Sequence, residues 1–160
     1  MPTFSTTRNV DHTAKEMFLL VADIESYPQF VPLCQRLLVR GRETQEDGSE
    51  IMIADMTVAY GPVNETFVTR VVTDPKNLTI RASYIDGPFS HLDNKWFFEE
   101  RNNSEQNSLS IVHFDIDYEF KSRTLGVLMG SMFDRAFRKF AEAFEGRANE
   151  LYAAGTLRQA

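Results

Sequence analysis

The side chains that most often bind metals or attack substrates are few in this chain and widely separated. It contains three histidines, His12, His91 and His113, and one cysteine, Cys34. None of them has the close spacing of a metal site, and Cys34 has no neighbouring histidine that could act as its base. A single cysteine excludes an intramolecular disulfide and is typical of a reducing compartment. We therefore predict no metal site and a buried, unreactive thiol.

Acidic residues alternate along one segment with His113, namely Asp115, Asp117 and Glu119. Alternate residues of a β-strand face the same side of a sheet, which here indicates a solvated polar face and not an acid/base pair. We therefore interpret Asp115, Asp117, Glu119 and His113 as residues of a solvated surface and not as catalytic groups.

The glycines are scattered, and no glycine-rich loop opens a helix as phosphate binding requires. Gly126 and Gly130 have the spacing that places two small residues on the same side of a helix. Two interpretations remain open for this pair: close packing of the helix on a sheet, and access to a pocket.

The charge of the chain limits its partners. A net charge of −6 and an isoelectric point near 5.1 disfavour nonspecific nucleic-acid binding, and no DNA partner is predicted. Five cations are nevertheless close in sequence: Lys121, Arg123, Arg135, Arg138 and Lys139. They are either ordinary solubilising charges or a contact for anionic lipid headgroups or RNA phosphates.

The strongest candidate for a site is apolar. The chain has 13 phenylalanines and 6 methionines, enough for a bulky core or for a cavity with an aromatic lining. The residues predicted to face one another across such a space are Trp96, Phe98, Phe114, Tyr118, Met129, Met132, Phe133 and Phe137. Regular aromatic stripes are mostly packing, but ligand pockets are also concave, apolar and poor in polar groups.

The predicted secondary structure that positions these residues is a series of short elements followed by one long helix. Thr3 to Val10 is predicted to be a strand, followed by a helix capped by Asp11 that continues to about Ala22 and by a break or second short helix at Pro28. Turn residues then separate strands predicted over Leu37–Glu43, Glu50–Tyr60, Glu65–Val72, Leu78–Ile85, Asn94–Glu100 and Ser108–Phe120. From about Thr124 to Ala154 the apolar period changes to that of one long amphipathic helix.

This order predicts an α+β fold in which an antiparallel sheet of about six or seven strands wraps around the C-terminal helix. The length fits a single domain over residues 1–160. No run of about 18 apolar residues is present, so no transmembrane helix is expected. Met1 to Arg8 do not have the pattern of a signal peptide, and the cytoplasm is the expected location.

Four segments also carry a family resemblance. The run Val21-Ala22-Asp23-Ile24-Glu25-Ser26-Tyr27-Pro28-Gln29-Phe30-Val31-Pro32-Leu33-Cys34 is the most specific of them. The others are Gly87-Pro88-Phe89 with Leu92, Asn94, Trp96 and Phe98; then residues 114–121; and Ala143 to Ala148 with Leu151 and Tyr152. Over nearly its whole length the chain resembles the coenzyme Q-binding START-like proteins, a family that includes bacterial ribosome-association toxins.

The resemblance implies a helix-grip (START/Bet v1-like) fold with a deep apolar tunnel. It further implies that ubiquinone or a similar isoprenoid lipid binds there without being transformed, supporting respiratory electron transport or quinone handling. No cofactor for catalysis is expected, and ubiquinone is the expected ligand. The apolar residues named above would contact it, with the loop Gly87-Pro88-Phe89 near the mouth. No Arg-rich transit segment is recognisable, which favours a bacterial cytoplasmic protein, with peripheral contact at the inner membrane left open.

Two other functions are compatible with the resemblance. One is a ribosome-associated inhibitor of translation, which the five cations would serve and which the acidic net charge disfavours. The other is a polyketide cyclase or aromatase, the wider superfamily's enzymes. An enzyme of that kind needs an acid or base inside the cavity, for which the candidates are Tyr118, Arg70 and Arg81.

Overall fold

The computed structural model describes residues 3–61, 63–101 and 109–151. Strand β1 (Thr3–Val10) is followed by helix α1 (Ala14–Ala22) and a short 3-10 helix (Ile24–Gln29). Six further strands and one long helix complete the order: β2 (Cys34–Thr44), β3 (Glu50–Tyr60), β4 (Val63–Asp74), β5 (Thr79–Asp86), β6 (Phe89–Glu100), β7 (Ser110–Phe120) and α2 (Arg123–Leu151).

The seven strands form one antiparallel sheet in the order β1-β7-β6-β5-β4-β3-β2. Strands β2 to β7 each pair with their neighbours in sequence, whereas β1 pairs with β7, so that Thr3 lies opposite Asp117 and Val10 opposite Ser110. The predicted α+β helix-grip architecture, with short helices after the first strand and a long C-terminal helix, is confirmed.

The alternation along β7 explains how the sheet acquires two different faces. Val112, Phe114, Ile116 and Tyr118 are buried, whereas Asp115 between them is exposed. The period changes in α2, where the buried residues recur every three or four positions and form a stripe toward the sheet: Met129, Phe133, Ala136, Phe137, Ala141, Phe144 and Ala148. Each fully buried phenylalanine contributes about 1.5–3 kcal/mol of hydrophobic stabilisation.

Helix α1 begins at a cap that differs from the prediction. Thr13, not Asp11, is the capping residue: its Oγ1 accepts a hydrogen bond from the backbone N–H of Glu16 at 3.0 Å. The Glu16 carboxylate in turn accepts from the backbone N–H of Thr13 at 2.7 Å. This reciprocal capping box satisfies two of the otherwise unpaired donors of the first turn. The assignment of Asp11 as the cap was wrong.

Most predicted strand bounds differ from the observed ones by a few residues, but β6 begins at Phe89, five residues before the predicted Asn94. The predicted loop around Gly87 is a tight turn between β5 and β6. Gly87 has a φ of +140°, a conformation that residues with a Cβ rarely adopt. The predicted starting residue Ser108 of β7 and the predicted end of α2 at Ala154 lie outside the described residues.

Within the described part of the chain, no helix is both long and apolar enough to cross a membrane.

Candidate ligand-binding cavity

A cavity lies between the inner face of the sheet and the helices that cover it. It comprises about 830 Å³ of space not occupied by protein atoms, including the part open to solvent. Its wall is formed from β2 to β7, from the segment between residues 24 and 33, and from α2. The lining residues are Ile24, Tyr27, Pro32, Leu33, Leu37, Ala54, Met56, Val58, Phe67, Thr69, Val71, Ile80, Ala82, Leu92, Asn94, Trp96, Ile116, Phe133, Ala136, Phe137, Phe140 and Phe144.

The strand register explains why these residues share one wall. Alternate residues of β3 point inward, and two of them, Ala54 and Met56, lie directly opposite Thr69 and Phe67 of β4. On the next strands, Ala82 of β5 lies opposite Asn94 of β6 in the same way. Because opposite residues of antiparallel strands project to the same face, the inward positions form continuous rows across the sheet.

Two polar side chains other than Tyr27 interrupt this apolar wall, Thr69 and Asn94. The Asn94 carbonyl oxygen accepts a hydrogen bond from the indole Nε1–H of Trp96 at 3.1 Å. Its amide donates to the backbone oxygen of Asp115 at 3.0 Å. These two bonds fix the orientation of the amide group, and an amide nitrogen has a second N–H to donate.

Tyr27 is the single titratable side chain among the residues that line the described cavity. Its hydroxyl donates a hydrogen bond to the backbone oxygen of Val21 at 2.5 Å. Burial, with smaller contributions from Cys34 and Asp23, raises the pKa of the phenol far above its ordinary value. Tyr27 therefore keeps its proton at neutral pH, and that proton is held by the backbone. These properties suit a structural role better than proton transfer.

Cys34 is the first residue of β2 and comes directly after the lining residues Pro32 and Leu33. The thiol is buried, as predicted, and burial raises its pKa to about 11. A thiol with such a pKa is almost entirely protonated at neutral pH and is a poor nucleophile. Among the described residues, no three His, Cys, Asp or Glu side chains are grouped so that they could hold a metal ion.

A shallow depression on the protein surface borders the cavity. The two share Pro32, Leu33 and Ala136, which therefore form the boundary between them. Leu33 has a φ of +67°, an uncommon conformation for a branched residue and one that costs roughly 1–3 kcal/mol. The remaining residues of the depression belong to α2: Leu128, Ser131, Met132, Arg135 and Lys139. We call these five residues, with Pro32, Leu33 and Ala136, the mouth.

The residues predicted to bind a ligand have different positions in the structure. Trp96, Phe133 and Phe137 line the cavity. Three others are buried next to these: Phe98 stacks on Trp96 at 6.0 Å, Phe114 contacts Trp96 at 4.7 Å, and Tyr118 contacts Phe137 at 5.1 Å between ring centroids. Met129 is buried in the core, and Met132 belongs to the mouth.

In the Gly87-Pro88-Phe89 segment, Pro88 and Phe89 are buried and Gly87 is half-buried, and none of the three belongs to the mouth. Phe89 is fully buried, and its ring contacts Phe67 at 5.4 Å and Phe133 at 5.8 Å. Both of these neighbours line the cavity, so Phe89 supports the wall from behind.

Two residues considered as inward acids or bases, Arg70 and Arg81, are exposed on the outer face of the sheet. Arg81 forms an ion pair with Asp93 at 3.0 Å. The expectation that either points inward was wrong, because the register of β4 directs Thr69 and Val71 into the cavity and Arg70 between them to solvent. The wall residues Ala54, Met56 and Val58 of β3 were not predicted. The alternation of apolar and polar residues along that strand could have identified them.

Gly126 and Gly130 lie near open space. A Cβ atom added at either position would meet no heavy atom within 4 Å outside its own chain neighbourhood. The interpretation of this pair as close helix-on-sheet packing is therefore wrong. Both glycines line a surface groove beside Val127 and Asp134.

Comparisons with known proteins agree with this geometry. The family model described as polyketide cyclase/dehydrase and lipid transport matches residues 10–145. The ribosome association toxin RatA of Escherichia coli is 31% identical over 96% of this chain and 91% of its own length. The mitochondrial coenzyme Q-binding protein COQ10 of Dictyostelium discoideum is 26% identical over 91% of this chain and 68% of its own length.

Among solved structures, the solution structure of an 18 kDa protein from Caulobacter crescentus is similar, with a TM-score of 0.76 and 30% identity. The similarity extends over 96% of this chain and 100% of the Caulobacter protein. The match of the family model over most of the chain, together with these relatives, assigns the family. The chain belongs to the polyketide cyclase/dehydrase and lipid transport family, the START-like proteins.

Proposed function

We propose that the protein binds an isoprenoid quinone of the ubiquinone type, or a lipid of similar shape, and holds it without transforming it. The observation that carries this proposal is the cavity wall, which is apolar except for Tyr27, Thr69 and Asn94. A relative of this chain is named as a coenzyme Q-binding protein, which supports the same ligand class.

The two ends of such a ligand suit two parts of the cavity. A quinone ring is flat and carries carbonyl acceptors, which matches the flat indole of Trp96 and the amide N–H of Asn94 beside it. An isoprenoid tail is apolar and flexible, which matches the path along Phe137 and Ala136 toward the mouth. In this proposal the ring is bound deep and the tail extends outward.

The chemistry of the wall favours binding over catalysis. Cyclases and aromatases need a group that can give or take a proton near the substrate. Among the residues lining the described cavity, only Tyr27 is titratable, and its raised pKa and its bond to Val21 oppose proton transfer. Burial also raises the pKa of Tyr118, which is not among the lining residues.

The direct test is extraction of the purified protein. We would express it in a host that produces quinone, purify it without detergent, extract it with organic solvent and identify the extract by mass spectrometry. Near-stoichiometric quinone or another isoprenoid lipid is the expected result. An extract without any such lipid, together with no change of the quinone absorption spectrum on addition of protein, would contradict the proposal.

Filling the cavity should remove the ligand. Ala82 lines the wall opposite Asn94, so Ala82→Phe would place a ring in the space assigned to the quinone. We expect at least a tenfold fall in extracted ligand, since the new ring displaces ligand contacts worth more than about 1.4 kcal/mol. Ser83→Phe is the matched control, because the next residue of β5 points to the outer face. Equal ligand in the Ala82→Phe protein and the unchanged protein would place the ligand elsewhere.

Ribosome association is the second candidate function. The observation in its favour is the group of five cations between residues 121 and 139, which could contact RNA phosphates, together with the printed name of the RatA relative. Its test is sedimentation with ribosomal subunits at low and high salt. Cosedimentation that weakens steeply as salt rises is expected if this candidate is correct, and absence of cosedimentation at low salt excludes it.

A further inference from the structure

The first turns of α2 expose aliphatic side chains to solvent. Val127 is 82% exposed and Leu128 is 60% exposed, although both lie in the helix that carries the core stripe. Single exposed apolar residues are common on protein surfaces. Here two adjacent ones project at the rim of the mouth, since Leu128 belongs to the mouth and Val127 to the groove beside it.

Cations flank these two residues. Residues 121–139 include five Lys or Arg and one Asp, in a chain whose net charge is −6. Arg138 is paired with Asp134 at 2.9 Å, whereas Arg135 and Lys139 are exposed and belong to the mouth. The surface around the mouth is therefore positively charged, while the rest of the chain carries an excess of acid.

We propose that this surface docks on an anionic lipid bilayer, with Val127 and Leu128 inserted at the interface and Arg135 and Lys139 on the headgroups. Exposed aliphatic residues flanked by cations match the two components of interfacial binding, burial of apolar area and attraction to anionic lipid. Single-stranded RNA is recognised largely by stacking on aromatic rings. In the described part of this surface, the most exposed large side chains are aliphatic, which favours lipid over RNA.

Docking in this orientation would turn the mouth toward the bilayer. The boundary residues Pro32, Leu33 and Ala136 join the docked depression to the cavity. A lipid could then pass between bilayer and cavity without crossing water. This consequence rests on the proposed function, but the docking itself does not, because it depends only on the surface of α2.

The experiment is flotation of the full chain with vesicles that contain no quinone. Vesicles of phosphatidylcholine with about one third phosphatidylglycerol are compared with phosphatidylcholine alone, at low salt and at about 500 mM salt. We expect binding to the anionic vesicles at low salt, with affinity lowered about 30-fold by Arg135→Gln combined with Lys139→Gln. Val127→Ser combined with Leu128→Ser should lower it about tenfold or more.

Matched controls separate this surface from general charge and hydrophobicity. Lys15→Gln combined with Lys76→Gln removes the same charge from other exposed positions, and Leu38→Ser removes an exposed leucine from the outer face of β2. Neither control should change binding by more than about twofold. Circular dichroism verifies that each variant is folded.

Three results would overturn the proposal: no binding to anionic vesicles at low salt, equal weakening by the controls, or unchanged vesicle binding in both α2 double variants. If the α2 charge variant lost binding to ribosomal subunits and not to vesicles, the surface would be an RNA contact instead. Quinone extraction is measured separately, so that loss of docking with retained ligand is distinguished from failure of the proposed function.

Discussion

Phe89→Ala should destabilise the protein by about 3–5 kcal/mol, the usual cost of emptying a fully buried phenylalanine site. The Phe89 side chain is 0% exposed. Its ring contacts rings on three other elements: Phe67 of β4 at 5.4 Å, Phe120 of β7 at 4.8 Å and Phe133 of α2 at 5.8 Å between centroids. Loss of the ring therefore weakens the packing of α2 on the sheet and the packing of the turn at Gly87. Urea unfolding followed by circular dichroism measures the change.

Phe97→Ala is the control for this prediction because it removes the same ring from the opposite face of the same strand. Phe97 is 42% exposed and stacks on His113 at 5.3 Å. We expect a cost of about 1 kcal/mol or less, since half-exposed side chains lose little apolar burial. Equal destabilisation by the two substitutions would mean that Phe89 is not part of the core.

Gly87→Ala should be about as costly, at roughly 3 kcal/mol or more, because two separate penalties act at one position. A Cβ at residue 87 would lie 2.6 Å from Cβ and 2.9 Å from Cα of Phe67, and a backbone atom cannot rotate away. The φ of +140° is also outside the range that alanine readily adopts. We expect a large fall in the unfolding midpoint in urea, or failure to accumulate as folded protein.

Gly48→Ala separates the two penalties. Gly48 also has a positive φ, +91°, but the nearest atom to its added Cβ is Cγ of Pro75 at an ordinary 3.8 Å. This control should show the conformational cost alone, about 1–3 kcal/mol. If both substitutions cost the same, the close approach between Gly87 and Phe67 does not contribute.

The elements with the clearest period were the ones that sequence reasoning predicted best. The alternation of Phe114, Ile116 and Tyr118 with acidic residues identified β7 and the side of it that is buried. The stripe that includes Phe133 and Phe137 identified α2 in the same way. In both elements the period itself requires one apolar face, so the prediction needs no knowledge of the neighbouring elements.

The distinction between core and cavity wall could not be predicted in this way. Phe98 and Phe114 lie on the apolar faces of their strands and Phe133 on the apolar stripe of α2, yet of these three only Phe133 lines the cavity. What separates them is the set of neighbours that covers each ring: Phe18 contacts Phe98, whereas Phe4 and Phe140 contact Phe114. Likewise Gly87-Pro88 has the composition of an exposed loop, and nothing local indicates that Phe89 after it is fully buried.

The place of β1 in the sheet also determines the order in which the fold can be completed. Strands β2 to β6 can pair with a sequence neighbour as soon as it has been synthesised, but β1 must wait for β7, to which Thr3 to Val10 are hydrogen-bonded. Pairing of distant segments has a larger loop-closure cost and is slower. We therefore expect the amino-terminal strand, first to leave the ribosome, to be the last strand to join the sheet. Until then the nascent chain keeps an unpaired β1, the kind of segment that chaperones protect from aggregation.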